Sequence, residues 1–249
     1  MKIAVLVSGL PRFCEEFDSL IELLKNYDTD WYFYLWEKPY ADFHDSVAPS
    51  WKNFSKSWAY DKIKNNLPTH HNIKGLEFGN QEILTIPAVE NVTGYSIVER
   101  VWPMIYAHYQ VSLLKQKVEK QTNINYDLVI KGRNDVILNE IYLEDINHRL
   151  TQSPESIFVS ENNRHGFINP KINDLFLISN SKNIDTYCDL VNHVLKYNSE
   201  GVVFHSETMQ AEHLNRNNLK VETKNFSTNF HTKGEWRNGT YYSKFGRWA

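Results

Sequence analysis

The chain has 249 residues, of which 30 are acidic and 27 basic, giving a formal charge of −3 and a pI near 6.4. That near balance, without a basic stripe, argues against a general nucleic-acid binder or membrane-surface binder. A hydrophobic content of 41%, with 14% aromatic residues, suffices for a buried core, and no run approaches the roughly 18 apolar residues of a membrane helix.

Lys2 to Val7 is strand-like. Its apolar run is too short for a secretory h-region, and Pro11-Arg12 follows where small cleavage-site residues would stand. The two cysteines, Cys14 and Cys188, are far apart with no CxxC or Cys/His cluster, so neither a zinc site nor a disulfide framework is indicated and a reducing cytoplasm is the simplest setting. The glycosylation sequons at Asn53, Asn91, Asn225 and Asn238 then count as chance matches. Ser8-Gly9-Leu10-Pro11-Arg12 breaks the strand, and Phe13, Phe17, Leu20, Ile21, Leu23 and Leu24 follow at helical spacing. This is the opening of a βαβ unit, although Pro11 near a first helical position also suits a plain turn into a helix.

Trp31 to Trp36 reads as a second parallel strand. From Glu37 to about Thr69 the pattern dissolves, with a short helix expected around Ser57 to Lys64. Ile73 to Phe78 and Glu82 to Ile86 read as short strands, the latter as a third strand of the sheet. A long helix is expected from Ile97 to about Lys120, capped by Ser96, with Val101, Met104, Ile105, His108 and Ser112 inward and Pro103 as a kink or true start. His108 on that face reads as a core histidine. Ser156 to Ser160 and Leu175 to Ser179 are strand candidates, Ser181 to Tyr197 is an amphipathic helix, and His205-Ser206-Glu207 opens another, with Ser206 as cap.

The most informative stretch lies between these. Within the expected central strand Tyr126 to Ile130, Leu128 to Ile130 is a short β-branched apolar run typical of a strand buried on both faces, and it ends in Lys131, Gly132, Arg133, Asn134 and Asp135. In open α/β sheets the carboxyl ends of the strands form the ligand crevice. A carboxylate there is a hard oxygen ligand for Mg²⁺ or Mn²⁺, and a guanidinium forks onto phosphate oxygens. The same residues also suit a solvated turn.

The order of these landmarks resembles the GT-A fold glycosyltransferases, most closely a group of small glycosyltransferase-like proteins of bacteria, phages and large viruses. The motifs are Ser8-Gly9-Leu10-Pro11-Arg12 after the first strand, Tyr95-Ser96 opening the long helix, Tyr126 to Asp135, Asn173-Asp174 before a later strand, and Ser206-Glu207 opening a late helix. The resemblance implies a single-domain Rossmann-like α/β fold with a mostly parallel sheet flanked by helices, its nucleotide part over roughly 1–135 and its acceptor part over 136–249. It implies a metal-dependent transferase moving a sugar from a nucleotide diphosphate sugar, UDP favoured, to an unknown acceptor hydroxyl. Asp135 corresponds to the second acid of the family's Asp-x-Asp metal motif, while Arg133 stands in place of the first. His231 is the implied further ligand to Mn²⁺ or Mg²⁺, with His205 the alternative. Ser8, Gly9, Leu10, Arg12, Tyr95, Ser96, Arg100, Arg133 and Asn134 fall on the donor side. For an inverting reaction Glu207 is the first choice of base and Asp174 the second; a helix-start acid favoured by the dipole and a turn acid would occupy the same two positions. The missing first acid leaves a noncatalytic nucleotide- or carbohydrate-binding protein as the alternative.

Overall fold

The computed structural model describes residues 1–11, 17–38, 55–92, 98–133, 137–138, 140–161, 172–228, 235–237, 240–243 and 246–248. The apolar runs become the interior strands. β1 (Lys2–Gly9), β2 (Asp28–Lys38) and β4 (Leu128–Gly132) have every residue from Ile3 to Val7, Trp31 to Trp36 and Leu128 to Lys131 buried. β3 (Asn72–Asn80), β6 (Ser156–Glu161), β7 (Ile172–Ser179) and β8 (Lys220–Lys224) complete a seven-stranded sheet of order β3-β2-β1-β4-β7-β6-β8. β4 is its middle strand, as the β-branched pattern predicts. All strands share one direction except β7, which runs antiparallel to both β4 and β6.

Helices cover both faces, as a mostly parallel sheet requires. On one face α1 (Phe17–Leu24), α2 (Lys56–Asn66) and α4 (Leu143–Gln152) pack against Val5, Trp31, Phe33, Ile130 and Phe176. On the other, α3 (Val98–Thr122), α5 (Ser181–Cys188) and α7 (Ser206–Arg216) pack against Leu6, Tyr32, Val129 and Leu177. A third cluster joins α3 and α7 to α6 (Val194–Ser199) through Ile105, Tyr197, Phe204 and Met209. Short strands β5 (Ile137–Leu138) and β9 (Ser227–Thr228) pair with each other, and β10 (Glu235–Arg237), β11 (Thr240–Ser243) and β12 (Gly246–Trp248) form a small antiparallel sheet.

Three sequence expectations are corrected. Glu82 to Ile86 is not a strand: Asn80 Oδ1 accepts from Glu82 N at 2.9 Å and starts a 3₁₀ turn at Gln81–Ile83, whose Ile83 is 80% exposed. The expected helix from Ser181 to Tyr197 is interrupted by a 3₁₀ turn at Asp189–Asn192, where the Asp189 carboxylate bonds Asn192 Nδ2 and His193 Nε2. Ser206 does not cap α7; the cap position is His205, without a side-chain cap bond. Pro103 lies inside α3.

Gly79 on β3 makes room for the aromatic group at the carboxyl end of β2, where Tyr34 and Trp36 pack with Tyr106 of α3. A Cβ at Gly79 would press on the Tyr34 hydroxyl and sit 2.6 Å from a Trp36 ring carbon. Gly79→Ala is therefore expected to cost about 1–3 kcal/mol, the usual range for overpacking, read as a lower urea midpoint with an unchanged m-value.

Candidate functional site

Strand direction places the site. The carboxyl ends of β1 and β4 and the amino end of antiparallel β7 meet at one edge, because Gly132 pairs with Phe176 and Val7 with Gly132. Asp174 lies two residues before Phe176. Here β7 is irregular, its register on β6 jumping between Val159–Leu177 and Ser160–Asn173. Such bulges re-aim side chains, and Asp174 is turned toward α7, where its Oδ2 accepts from Ser206 Oγ at 3.2 Å.

The fold thereby brings the two expected catalytic acids, 33 positions apart in sequence, into one electrostatic unit. Burial, and then the Asp174 charge, push the Glu207 carboxyl up to about 7 against the pull of its own backbone N–H. His205 Nδ1 stands 3.3 Å from Glu207 Oε2. Behind the pair, Lys131 Nζ is fully buried and donates to the Asp174 carbonyl at 2.7 Å. Tyr187 of α5 presents a buried hydroxyl beside both carboxylates; burial and their charge drive its proton affinity well above that of an ordinary phenol. Neither that hydroxyl nor Oε1 of neighbouring Gln210 finds a hydrogen-bond partner of normal geometry among the described residues. His108 is indeed buried, ring-stacked on Tyr187 at 5.9 Å, and held neutral by burial and by the charges of Lys131 and Arg133.

A buried acid at the opposite edge shows the difference. Asp30 is fully buried, where the Glu207 side chain is 16% exposed, and it accepts from Tyr126 Oη at 2.9 Å and Asn72 Nδ2 at 3.0 Å and faces Lys2 Nζ at 3.5 Å. Its charge is met on every side, as in a structural carboxylate. Glu207 has no comparable set of donors among the described residues, which makes the pair a candidate functional site.

Of the expected donor-side residues, Ser8 is the penultimate residue of β1, with its hydroxyl buried and without a partner among the described residues. Gly9 follows at φ 109°, a conformation L side chains rarely adopt, with open space where a Cβ would stand. Leu10 packs against the α3-side core, Arg133 is partly buried at the end of β4, and Arg100 is exposed on the first described turn of α3. Arg12, Tyr95, Ser96, Asn134, Asp135 and His231 lie outside the described residues.

No three His, Cys, Asp or Glu side chains converge as a metal-binding group among the described residues. His205, the alternative ligand, places its Nδ1 beside Glu207 at the start of α7. No helix among the described residues is long and apolar enough to cross a membrane.

Sequence reasoning missed Lys131 as a fully buried cation, and Tyr187, Gln210 and the true role of Ser206. The signal for two of them was present: Ser206 and Gln210 are one helical turn apart and share the inward stripe with Met209 and Leu214.

The sheet and its edge define a Rossmann-like α/β protein with a paired-carboxylate site at the carboxyl ends of its strands. No family model matches the chain, and no curated protein matches it.

Proposed function

We propose that the protein is a glycosyltransferase of the GT-A type, transferring a sugar from a nucleotide diphosphate sugar, with UDP as the favoured nucleotide, to an acceptor hydroxyl. The observation that carries this reading is the Asp174–Glu207 pair at the carboxyl edge, with the Glu207 carboxyl pushed to about 7. A base of that strength takes a proton from a hydroxyl as it attacks, and is free to do so at neutral pH.

In this reading Glu207 accepts the acceptor proton while the acceptor oxygen bonds to the anomeric carbon. The bond from that carbon to the diphosphate oxygen breaks, and the electron pair leaves with the diphosphate. Arg133, at the end of the middle strand, is the cation offered to the leaving charge. Ser8 and Gly9 let the donor approach the backbone closely at the end of β1. A divalent cation, Mn²⁺ or Mg²⁺, is assigned to Asp135 and His231, and when bound would neutralise part of the same diphosphate charge.

The test is thermal unfolding with UDP, GDP and their sugar conjugates, with and without Mn²⁺ or chelator. Binding at about 100 times Kd adds about 2.7 kcal/mol to the folded state, so a clear rise in Tm is expected with one nucleotide and Mn²⁺, and much less with chelator. No rise with any nucleotide in any condition would overturn the proposal. A rise without donor hydrolysis or transfer would leave a noncatalytic nucleotide-binding protein.

A further inference from the structure

Glu207 stands on the first turn of α7, and that turn is held from two sides. On the sheet side Ser206 Oγ donates to Asp174 Oδ2 at 3.2 Å. On the other side, one buried side-chain amide near the end of α6, that of Asn198, ties the chain entering α7 to the segment that leads toward α3. Asn198 Oδ1 accepts from the backbone N–H of Glu90 at 2.9 Å and of Asn91 at 3.5 Å, and Nδ2 donates to the carbonyls of Asn91 and Val202, each at 3.1 Å. Asn91 answers across the same gap. Its Nδ2 donates to the Gly201 carbonyl at 2.8 Å, and its own carbonyl also accepts from the Phe204 N–H at 2.7 Å. Val92 and Phe204 form a parallel bridge there. Phe204 is fully buried in one cluster with Met209 of α7. The next residue, His205, holds the cap position, and its carbonyl accepts from the Met209 N–H at 2.9 Å.

The four partners of the Asn198 amide are backbone groups, two donors and two acceptors, so the site needs an oxygen at one end and an NH₂ at the other. An aspartate of the same shape would set an oxygen against two carbonyls. Asn198 is 6% exposed, and a buried backbone group that loses its partner is costly. We propose that Asn198, supported by Asn91, is a positioning residue that fixes the chain at Phe204 and thereby sets where Glu207 stands opposite Asp174. This rests on the reading that the carboxylate pair is the reactive centre, but not on the identity of donor or acceptor. It concerns the placement of the Glu207 side chain and not its proton. Placement matters because a shift of about 1 Å at a reacting group costs on the order of 10²-fold in rate.

The experiment is amide hydrogen exchange, read residue by residue by NMR on the full chain and on Asn198→Ala, Asn198→Asp and Asn91→Ala, without nucleotide. In Asn198→Ala the Phe204 and Met209 amides should exchange roughly 10-fold faster or more, while the amides of β1 and β4 keep their rates. Asn198→Asp, which keeps the size and the Oδ1 acceptor, should do the same, and Asn91→Ala should act in the same direction by less. Equal quickening throughout the chain would make Asn198 a general stabiliser, and unchanged rates at Phe204 and Met209 would leave it no hold on the turn; either result overturns the proposal. Should neither Asn198 variant fold, Asn91→Ala decides: faster exchange confined to the start of α7 supports the assignment, and unmoved rates overturn it. In an assay of transfer, Asn198→Ala should lower kcat by about 10–100-fold with the KM for the nucleotide sugar little changed. A raised KM with an unchanged kcat would overturn the proposal. If the unaltered protein transfers no sugar, the glycosyltransfer reading fails, and the exchange result alone decides whether Asn198 holds the turn.

Discussion

Lys115→Met is expected to cost about 3–5 kcal/mol of folding stability, the range for removing one partner of a buried ion pair. Lys115 is fully buried between α3 and α5. Its ammonium bonds Glu119 Oε2 at 2.7 Å, lies 3.0 Å from Asp185 Oδ1, and also meets the Ser181 hydroxyl. Ser112 Oγ donates to Asp185 at 2.6 Å and Ser181 Oγ to Glu119 at 2.6 Å. Two carboxylates thus share one cation, and without it they face each other with only hydroxyl donors. Burial already raises the Asp185 carboxyl above its ordinary value despite Lys115 pulling it down. In the variant that rise should grow. A raised acid penalises the folded state above its folded value and ceases to do so once protonated, so the loss should shrink as the pH is lowered. Urea unfolding of Lys115→Met, Asp185→Asn and the double variant checks this: the double should cost less than the sum, because neutral partners need no cation. Additive costs would mean that the network does not couple the two helices.

Lys115 also shows where the sequence stops being legible. The inward stripe of α3 was read as Val101, Met104, Ile105, His108 and Ser112, and the next inward positions on the same stripe are Lys115 and Glu119. A charged side chain is placed outside by default, since its burial is costly; Glu119 on the same helix and Asp185 on α5, 70 residues away, together make it tenable, and the second of these is not visible locally. The strands were legible because β1, β2 and β4 are buried on both faces and therefore continuously apolar. The direction of β7 was not, since Ile172 to Ser179 reads the same in either sense and only its pairing with β4 reverses it. Both acids were singled out through the resemblance, each by its own short motif. Their meeting was not, because it depends on the irregular register that turns Asp174 away from the sheet and toward α7.

Glu207→Gln is expected to lower kcat/KM of the proposed transfer by about 10²–10⁴-fold, the usual contribution of a positioned base, while making the protein more stable at neutral and higher pH. The sign follows from linkage. Glu207 binds its proton more tightly in the folded chain, at about 7 against an ordinary 4.5. Its charge therefore penalises the folded state fully above about pH 7, and the penalty fades as the pH falls toward 4.5. Glutamine carries no such charge, so the variant should exceed the unaltered protein by on the order of 2–3 kcal/mol at pH 8, with the two converging near pH 4.5. Buried His71, His108 and His213 act in the opposite sense: their folded proton affinities are lowered, chiefly by burial, so stability present above their ordinary 6.5 is lost as the pH drops below it. That loss is common to both proteins and cancels in their difference. Urea midpoints at pH 8, 6.5 and 5 measure the gap, and activity of the unaltered protein should rise with pH and level off above about 7. Equal stability at pH 8 would mean that Glu207 is not held against the Asp174 charge, and the site would lose its base. A variant that is inactive yet more stable is what a strained catalytic carboxylate leaves behind when its charge is removed.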